Sequence, residues 1–174
     1  MAVDTRREIV RRLLEEAYGQ GNLALVDELV TDDARLHTEL PTGPEAPSGR
    51  EGFKEIVRWV RSVWPDAQVK AEDVFVDGDR VAARVTFEGT NLGPLHKYPP
   101  SGRRGRWTEL FIFGISNGQV DEMWHELNVL GTLQQMGEMP DEWEMGRPPK
   151  AIVATMKFVG RTKRRLRERR SAAP

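Results

Sequence analysis

The period of the hydrophobic pattern changes once along this chain, and that change constrains the fold. Up to Val63, most apolar residues recur at the three- and four-residue spacing that marks one face of a helix. From Val69 onward they alternate, and the dipeptides Asp77-Gly78 and Asn117-Gly118 separate the alternating segments. Such dipeptides are typical of two-residue hairpin turns. Helices followed by an antiparallel meander predict an α+β fold.

The first half of the chain is predicted to contain three helices and one strand, and the second half four strands. The predicted helices are 5–18, Leu23–Val30 and Arg50–Val63, with a strand at Ala34–Leu40 before the third helix. The predicted hairpin strands are Val69–Val76, Arg80–Gly89, Arg106–Ser116 and Gln119–Val129. One curved sheet wrapped over three helices would enclose a pocket.

Charge is distributed unevenly and indicates a separate C-terminal extension. Residues 141–174 contain 10 Lys and Arg against 4 Asp and Glu, although the whole chain of 174 residues has a net charge of −1. We predict one α+β domain over 1–139 and a Pro-containing linker with a basic helix over 140–174. The basic segment has few aromatic residues and no recognition motif, and its apolar residues precede the basic block. We therefore expect no binding to nucleic acid or to a membrane.

Composition excludes several classes of function. The chain has no cysteine, which excludes disulfides, thiolate metal sites and cysteine nucleophiles. Its N-terminus lacks an apolar signal core and its longest apolar stretches are far shorter than the roughly 20 residues of a membrane helix, so we expect a cytoplasmic protein. The three histidines lack metal-ligand spacing and no Gly-rich loop links a strand to a helix. We expect neither a metal site nor a nucleotide-binding site.

The last hairpin carries the candidate site. If its strands pair without interruption from the Asn117-Gly118 turn, Glu109 lies opposite Glu126. In the same register Phe111 lies opposite Trp124, and all four side chains share one face. Facing carboxylates repel, which favours protonation of one of them, so the pair could act as an acid and a base. Aromatic walls with a few polar groups are typical of a ligand pocket.

A second interpretation of this hairpin is open. Both carboxylates could lie at the rim of the sheet and pair with arginines. The register is also an assumption, because a shift of one residue would move every side chain to the opposite face.

Several segments together resemble one known family. They include EEAYGQGNLALVDELVTDDARLH at 15–37, SGREGFKEIV at 48–57 and NGQVDEMWHELNVLGTLQQMG at 117–137. Over about residues 5–137 the chain resembles the SnoaL-like polyketide (ester) cyclases of the nuclear transport factor 2-like superfamily. The resemblance implies a cone-shaped α+β barrel, a curved antiparallel sheet wrapped on three N-terminal helices around a deep pocket. It also implies a homodimer through sheet faces.

The resemblance further implies cofactor-independent aldol cyclisation, isomerisation or hydrolysis of a hydrophobic small molecule. The family pattern Trp-x-x-x-Asp places Asn128 where relatives have the aspartate. Asparagine exchanges no proton at neutral pH, so Glu126 is the predicted acid/base and Glu109 its partner. Asn128 and Arg84 are predicted to hold substrate oxygens, and His37 to lie at the pocket mouth. The predicted binding residues are Trp124, Trp107, Phe111, Trp59 and His96.

Two alternatives are open. Asn128 equally suits a protein that has lost the chemistry and acts as a small-molecule-binding or scaffold protein. Arg84 and Glu126 also resemble the arginine–carboxylate arrangement of epoxide-opening relatives, which would make the protein an epoxide hydrolase-like enzyme.

Overall fold

The computed structural model describes residues 3–38 and 48–139. The helices are α1 (Val3–Arg12), which continues as a π-helical segment (Leu13–Tyr18), α2 (Leu23–Leu29), α3 (Gly49–Val63) and α4 (Val129–Met136). The strands are β1 (Val30–Thr38), β2 (Gln68–Asp77), β3 (Arg80–Thr90), β4 (Arg104–Ser116) and β5 (Gln119–Leu127). Within these ranges no helix is long and apolar enough to cross a membrane. The predicted linker and basic helix at 140–174 lie outside the described residues.

The five strands form one sheet in the order β1-β5-β4-β3-β2. Strands β2 to β5 pair antiparallel as predicted, and β1 adds to the edge of β5 in parallel. The predicted α+β class is therefore confirmed. The described strands form a mixed sheet that does not close on itself, where an antiparallel barrel was expected.

Two of the boundaries that differ from the prediction are explained by a helix cap and by strand pairing. The last strand ends at Leu127 instead of Val129, since the Asn128 side chain accepts the Gly131 N–H at 3.0 Å and caps α4. Helix α4 was not predicted. The first strand begins at Val30, which pairs with Val120 instead of ending α2.

The core lies between the helices and the inner face of the sheet. Amphipathic α3 buries Phe53 and Val57, and the π-helical segment buries Leu13. From the sheet, alternate residues such as Phe87 and Phe113 meet these helices. The alternation of β4 thus places its odd-numbered residues from 107 to 113 inward, as predicted.

A β-bulge interrupts the last hairpin near its turn. Ser116 pairs with Gln119 as predicted, but Gly114 pairs with Glu122, which leaves Asp121 as an extra residue on β5. The two strands approach so closely here that a Cβ on Gly114 would lie 2.7 Å from Asp121 Oδ1. Glycine within a strand is typical of such bulges.

The bulge shifts the register of the rest of the hairpin by one residue. Glu109 pairs with Leu127 and Phe111 with His125. The predicted pairs of Glu109 with Glu126 and of Phe111 with Trp124 are therefore wrong. Because side chains alternate between faces, β5 presents His125 inward and turns Trp124 to the outer face, and Glu126, next to the end of the strand, is exposed.

Candidate active site

A cavity of about 320 Å³ lies near the end of β5 and the start of α4. Three of its lining residues, Trp59, His96 and Glu126, belong to the predicted site. The others are Thr38, Trp64, Leu95, Tyr98, His125, Leu127, Val129, Thr132 and Leu133. The segment around His96 is a tight turn, closed by two backbone hydrogen bonds between Leu95 and Tyr98.

Glu109 is a buried carboxylate that accepts three hydrogen bonds. Trp107 Nε1 donates to Oε1 at 2.8 Å. Tyr18 Oη donates to Oε2 at 3.1 Å, and His125 Nε2 lies 3.1 Å from the same oxygen. Only 2% of the Glu109 surface is exposed. A buried carboxylate is stabilised when donors reach both of its oxygens, and this one meets that requirement.

The three donors lie on β4, on β5 and at the end of the π-helical segment. Trp107 is two residues earlier on β4 and so shares its face. His125 is a diagonal neighbour on β5, because it pairs with Phe111 and its ring stacks on the Phe111 ring with centroids 4.2 Å apart. Tyr18 is the last residue of the π-helical segment, a backbone form often found at functional sites.

The environment fixes the role of Tyr18. Burial, together with the neighbouring Glu109 carboxylate, raises the pKa of Tyr18 well above its ordinary value. The phenol therefore remains protonated and acts as a donor to Glu109.

His125 is also buried, and both of its ring nitrogens have partners. Its side chain has no exposed surface. Nε2 faces Glu109, and Nδ1 lies 3.2 Å from Thr38 Oγ1 on β1. A carboxylate only accepts hydrogen bonds, so a hydrogen is assigned to Nε2, which donates to Glu109.

A second charged cluster occupies the outer face of the sheet. Glu122 accepts from Arg35 Nη2 at 2.9 Å and Arg80 Nη1 at 3.1 Å, and lies 3.0 Å from His37 Nε2. Although burial by itself raises the pKa of Glu122, hydrogen bonds from these three side chains lower it below its ordinary value. Trp124 stacks on the His37 ring at 4.9 Å and packs against the Arg80 guanidinium at 4.6 Å. His37 and Trp124 thus lie on the opposite face from Glu109, where the sequence placed Trp124 on the same face.

The remaining predicted residues are distributed over three environments. Arg84 lies on the outer face and forms an ion pair of 2.7 Å with Asp73. Trp107 and Phe111 point inward but are buried in the core. Asn128 caps α4 and is not among the described lining residues of the cavity.

The sequence prediction missed Tyr18, Thr38 and His125. One signal could have identified His125, because glycine at position 114 in a strand interior indicates a bulge and hence a change of face. Within 3–38 and 48–139, no group of three or more His, Asp or Glu side chains is arranged to hold a metal ion.

A comparison with known proteins identifies the family of this chain. The family model for SnoaL-like polyketide cyclase matches residues 8–136. The chain belongs to the SnoaL-like polyketide cyclase family. It is 28% identical over 138 residues to nogalonic acid methyl ester cyclase of Streptomyces nogalater. The aligned residues make up 76% of this chain and 98% of that relative.

Solved structures from the genus Streptomyces show the same fold. TsrD from Streptomyces laurentii is 29% identical with a TM-score of 0.71, and the match covers 80% of this chain and 99% of TsrD. IdmH from Streptomyces antibioticus is 27% identical with a TM-score of 0.65, covering 76% of this chain and 98% of IdmH. The C-terminal segment predicted from residue 140 onward lies beyond the family match.

Proposed function

We propose that this SnoaL-like protein is a cofactor-independent acid/base enzyme that closes a ring in a hydrophobic, polyketide-like molecule. The observation that carries the proposal is the buried pair of Glu109 and His125, of which His125 lines a cavity of about 320 Å³. The relative from Streptomyces nogalater is named as a methyl ester cyclase, which supports the same reaction class here.

The pair has the groups that an aldol ring closure requires. The reaction removes a proton from the carbon next to a carbonyl, forms a carbon–carbon bond to a second carbonyl carbon, and returns the proton to the resulting alkoxide. With its Nε2–H held by Glu109, His125 keeps a lone pair at Nδ1 that can accept the proton. The Glu109 carboxylate then stabilises the imidazolium, and the imidazolium returns the proton to the alkoxide.

The cavity wall supports a ligand that contains rings. Trp59 and Trp64 meet edge to face with centroids 5.8 Å apart, and Tyr98 adds a third aromatic side chain. Aromatic side chains bind flat apolar ligands over a large area, and the few polar groups fix orientation. Glu126 lines the same cavity from its exposed side and is a second candidate for proton exchange.

One observation favours a second candidate, a binding protein without chemistry. At the position where the sequence pattern of the family expects an aspartate, Asn128 caps α4. A capping asparagine supplies no proton transfer, so a cavity that only binds its ligand would also account for this residue. The epoxide hydrolase-like alternative has less support, because Arg84 pairs with Asp73 and not with Glu126.

We also propose a homodimer through the outer face of the sheet. Phe75, Ala82, Ile112 and Trp124 follow one another across β2, β3, β4 and β5 in a single row. Phe75 is 68% and Ile112 46% exposed, although both are large and apolar. Exposed apolar side chains in a continuous row support an interface in which the same face of a second copy covers them.

The functional proposal is tested with nogalonic acid methyl ester as the probe substrate and no added cofactor. We expect ring closure, with kcat reduced about 10²- to 10⁴-fold in His125→Asn and in Glu109→Gln. Glu88→Gln is the matched control, because Glu88 is a carboxylate paired with Arg104 on the exposed surface, and we expect full activity. Circular dichroism verifies the fold of each variant. Unchanged conversion in the two site variants would overturn the proposal, and saturable binding of the ester without conversion would favour the binding protein.

A further inference from the structure

Glu126 supplies the cavity with a negative charge that the described protein does not neutralise. It is exposed and lines the cavity, and its carboxylate has no hydrogen-bond or ion-pair partner within the described part of the chain. By contrast, Glu109 and Glu122 each lie within hydrogen-bond distance of three side chains. The described lining residues include no Lys or Arg. The carboxylate of Glu126 is therefore available to a positively charged ligand.

Aromatic rings form part of the wall of the same cavity. The rings of Trp59 and Trp64 meet at 85° with centroids 5.8 Å apart and so form a corner. The ring of His96 lies 6.0 Å from that of Trp59, and Tyr98 closes the turn that carries His96. The face of an aromatic ring carries partial negative charge and attracts a cation. Aromatic rings and a carboxylate around one cavity are the combination that binds an ammonium group.

The ring of Trp59 is the aromatic surface best placed for such a ligand. Trp59 is half-buried, whereas Trp64 is only 2% exposed. Among the described residues no Lys or Arg lies over either ring, although Lys97 Nζ lies 5.3 Å from the Tyr98 ring centroid. Lys97 is not a described lining residue of the cavity. Trp59 and Glu126 thus offer an aromatic ring and a counter-charge that no cation of the described chain occupies.

We propose that the cavity binds a ring-containing molecule through an ammonium group, which contacts the ring of Trp59 and pairs with the carboxylate of Glu126. We call these two side chains the ammonium subsite. The inference rests on the proposed function for the identity of the ligand as a substrate, and it adds the chemical class of that substrate. A neutral group of the same shape would fill the same space without either attraction, so the subsite selects for charge.

The binding test compares choline with 3,3-dimethyl-1-butanol, which has nearly the same shape and no charge. NMR titration follows the indole N–H signals, with those of Trp59 and Trp64 assigned through Trp59→Phe and Trp64→Phe. We expect choline to shift these signals and to bind at least about 10-fold more tightly than the alcohol. Equal affinity for the two probes, or no shift of these signals with either, would overturn the proposal.

Two variants test the two members of the subsite. Glu126→Gln keeps the shape and removes the charge, and we expect the preference for choline to fall to about threefold or less. Glu88→Gln is the matched control, because Glu88 is an exposed carboxylate outside the described lining residues and is paired with Arg104. Trp59→Leu is expected to weaken choline binding about fivefold, with the affinity for the alcohol within about twofold of the wild type. A full choline preference in Glu126→Gln or in Trp59→Leu would overturn the subsite.

The outcomes separate this inference from the proposed function. Conversion of nogalonic acid methyl ester, and its loss in His125→Asn, test the reaction, whereas choline binding tests the class of ligand. If the ester is converted but choline and the alcohol bind equally, the ammonium subsite is overturned and the proposed function stands. If choline is selected through Glu126 but the ester is not converted, the proposed function fails and the subsite stands as that of a binding protein.

Discussion

His125 Nε2 lies 3.1 Å from Glu109 Oε2, and the two side chains are 0% and 2% exposed. Two further donors, Tyr18 and Trp107, reach the same carboxylate. Removing the acceptor leaves buried donors without partners, which costs more than the loss of one hydrogen bond. The pair is therefore as much a determinant of stability as a candidate for chemistry.

Glu109→Ala is expected to lower the free energy of unfolding by about 3–5 kcal/mol, the range for breaking one side of a buried, hydrogen-bonded charge. Glu88→Ala, which breaks an exposed ion pair with Arg104, is expected to lower it by about 1 kcal/mol or less. Urea denaturation followed by tryptophan fluorescence measures both. Equal losses in the two variants would contradict the buried network.

The bulge at Asp121 is the second feature with a measurable consequence. Gly114→Ala is expected to lower the free energy of unfolding by about 1–3 kcal/mol, because the new Cβ would lie 2.7 Å from Asp121 Oδ1 and 3.3 Å from Glu122 Cβ. Adding Asp121→Ala is expected to restore part of this loss, while Asp121→Ala alone changes little. If Gly114→Ala had the same free energy of unfolding as the wild type, the close approach of the two strands at the bulge would not contribute to stability.

The same bulge explains how far the sequence could predict the site. Periodicity and the two turn dipeptides were enough for the fold class, the hairpins and the inward face of β4. The face of β5 depended on counting residues from the Asn117-Gly118 turn, and one extra residue reversed it. Glu109 was correctly placed inward, but its partner became His125 instead of Glu126.

The site residues that the sequence did not predict reach the site through contacts between distant parts of the chain. Tyr18 reaches Glu109 across 91 positions and Thr38 reaches His125 across 87. Neither contact has a local spacing that the sequence alone could show. The parallel addition of β1 to β5, which creates the Thr38 contact, likewise has no hairpin turn to mark it.

Glu122 predicts a pH dependence of stability. Its hydrogen bonds with His37, Arg35 and Arg80 outweigh burial and lower its pKa below the ordinary 4.5. The folded state thus gains stability from the carboxylate above about pH 4.5, and this gain is lost as pH falls through the lowered pKa. Glu122→Gln is expected to lower the urea midpoint at pH 7, with a difference from the wild type that shrinks below pH 4.5. The control Asp73→Asn, at an exposed ion pair, is expected to change the midpoint little. A difference that does not vary with pH would contradict this account.

Asn128 predicts a stability effect that depends on its oxygen alone. Asn128→Ala removes the acceptor for the Gly131 N–H and is expected to lower the free energy of unfolding by about 1 kcal/mol. Asn128→Asp retains an acceptor at the same position, and aspartate caps helices as well as asparagine does, so we expect a change of only a few tenths of a kcal/mol. Thermal denaturation of both variants measures the difference. If Asn128→Ala were as stable as Asn128→Asp, the side-chain hydrogen bond to the Gly131 N–H would not stabilise the protein.

The outer-face row predicts the assembly state. If Phe75, Ile112 and Trp124 are covered by a second copy, a charge at the centre of the row is buried without a partner and opposes association. We expect sedimentation velocity to show a dimer for the wild type and a dissociation constant at least about 100-fold weaker for Ile112→Glu. Val3→Glu, a matched change at a residue that is 51% exposed on α1, is expected to leave the dimer intact. A wild type that sediments as a monomer, or an Ile112→Glu variant that associates as tightly as the wild type, would show that this face is not the interface.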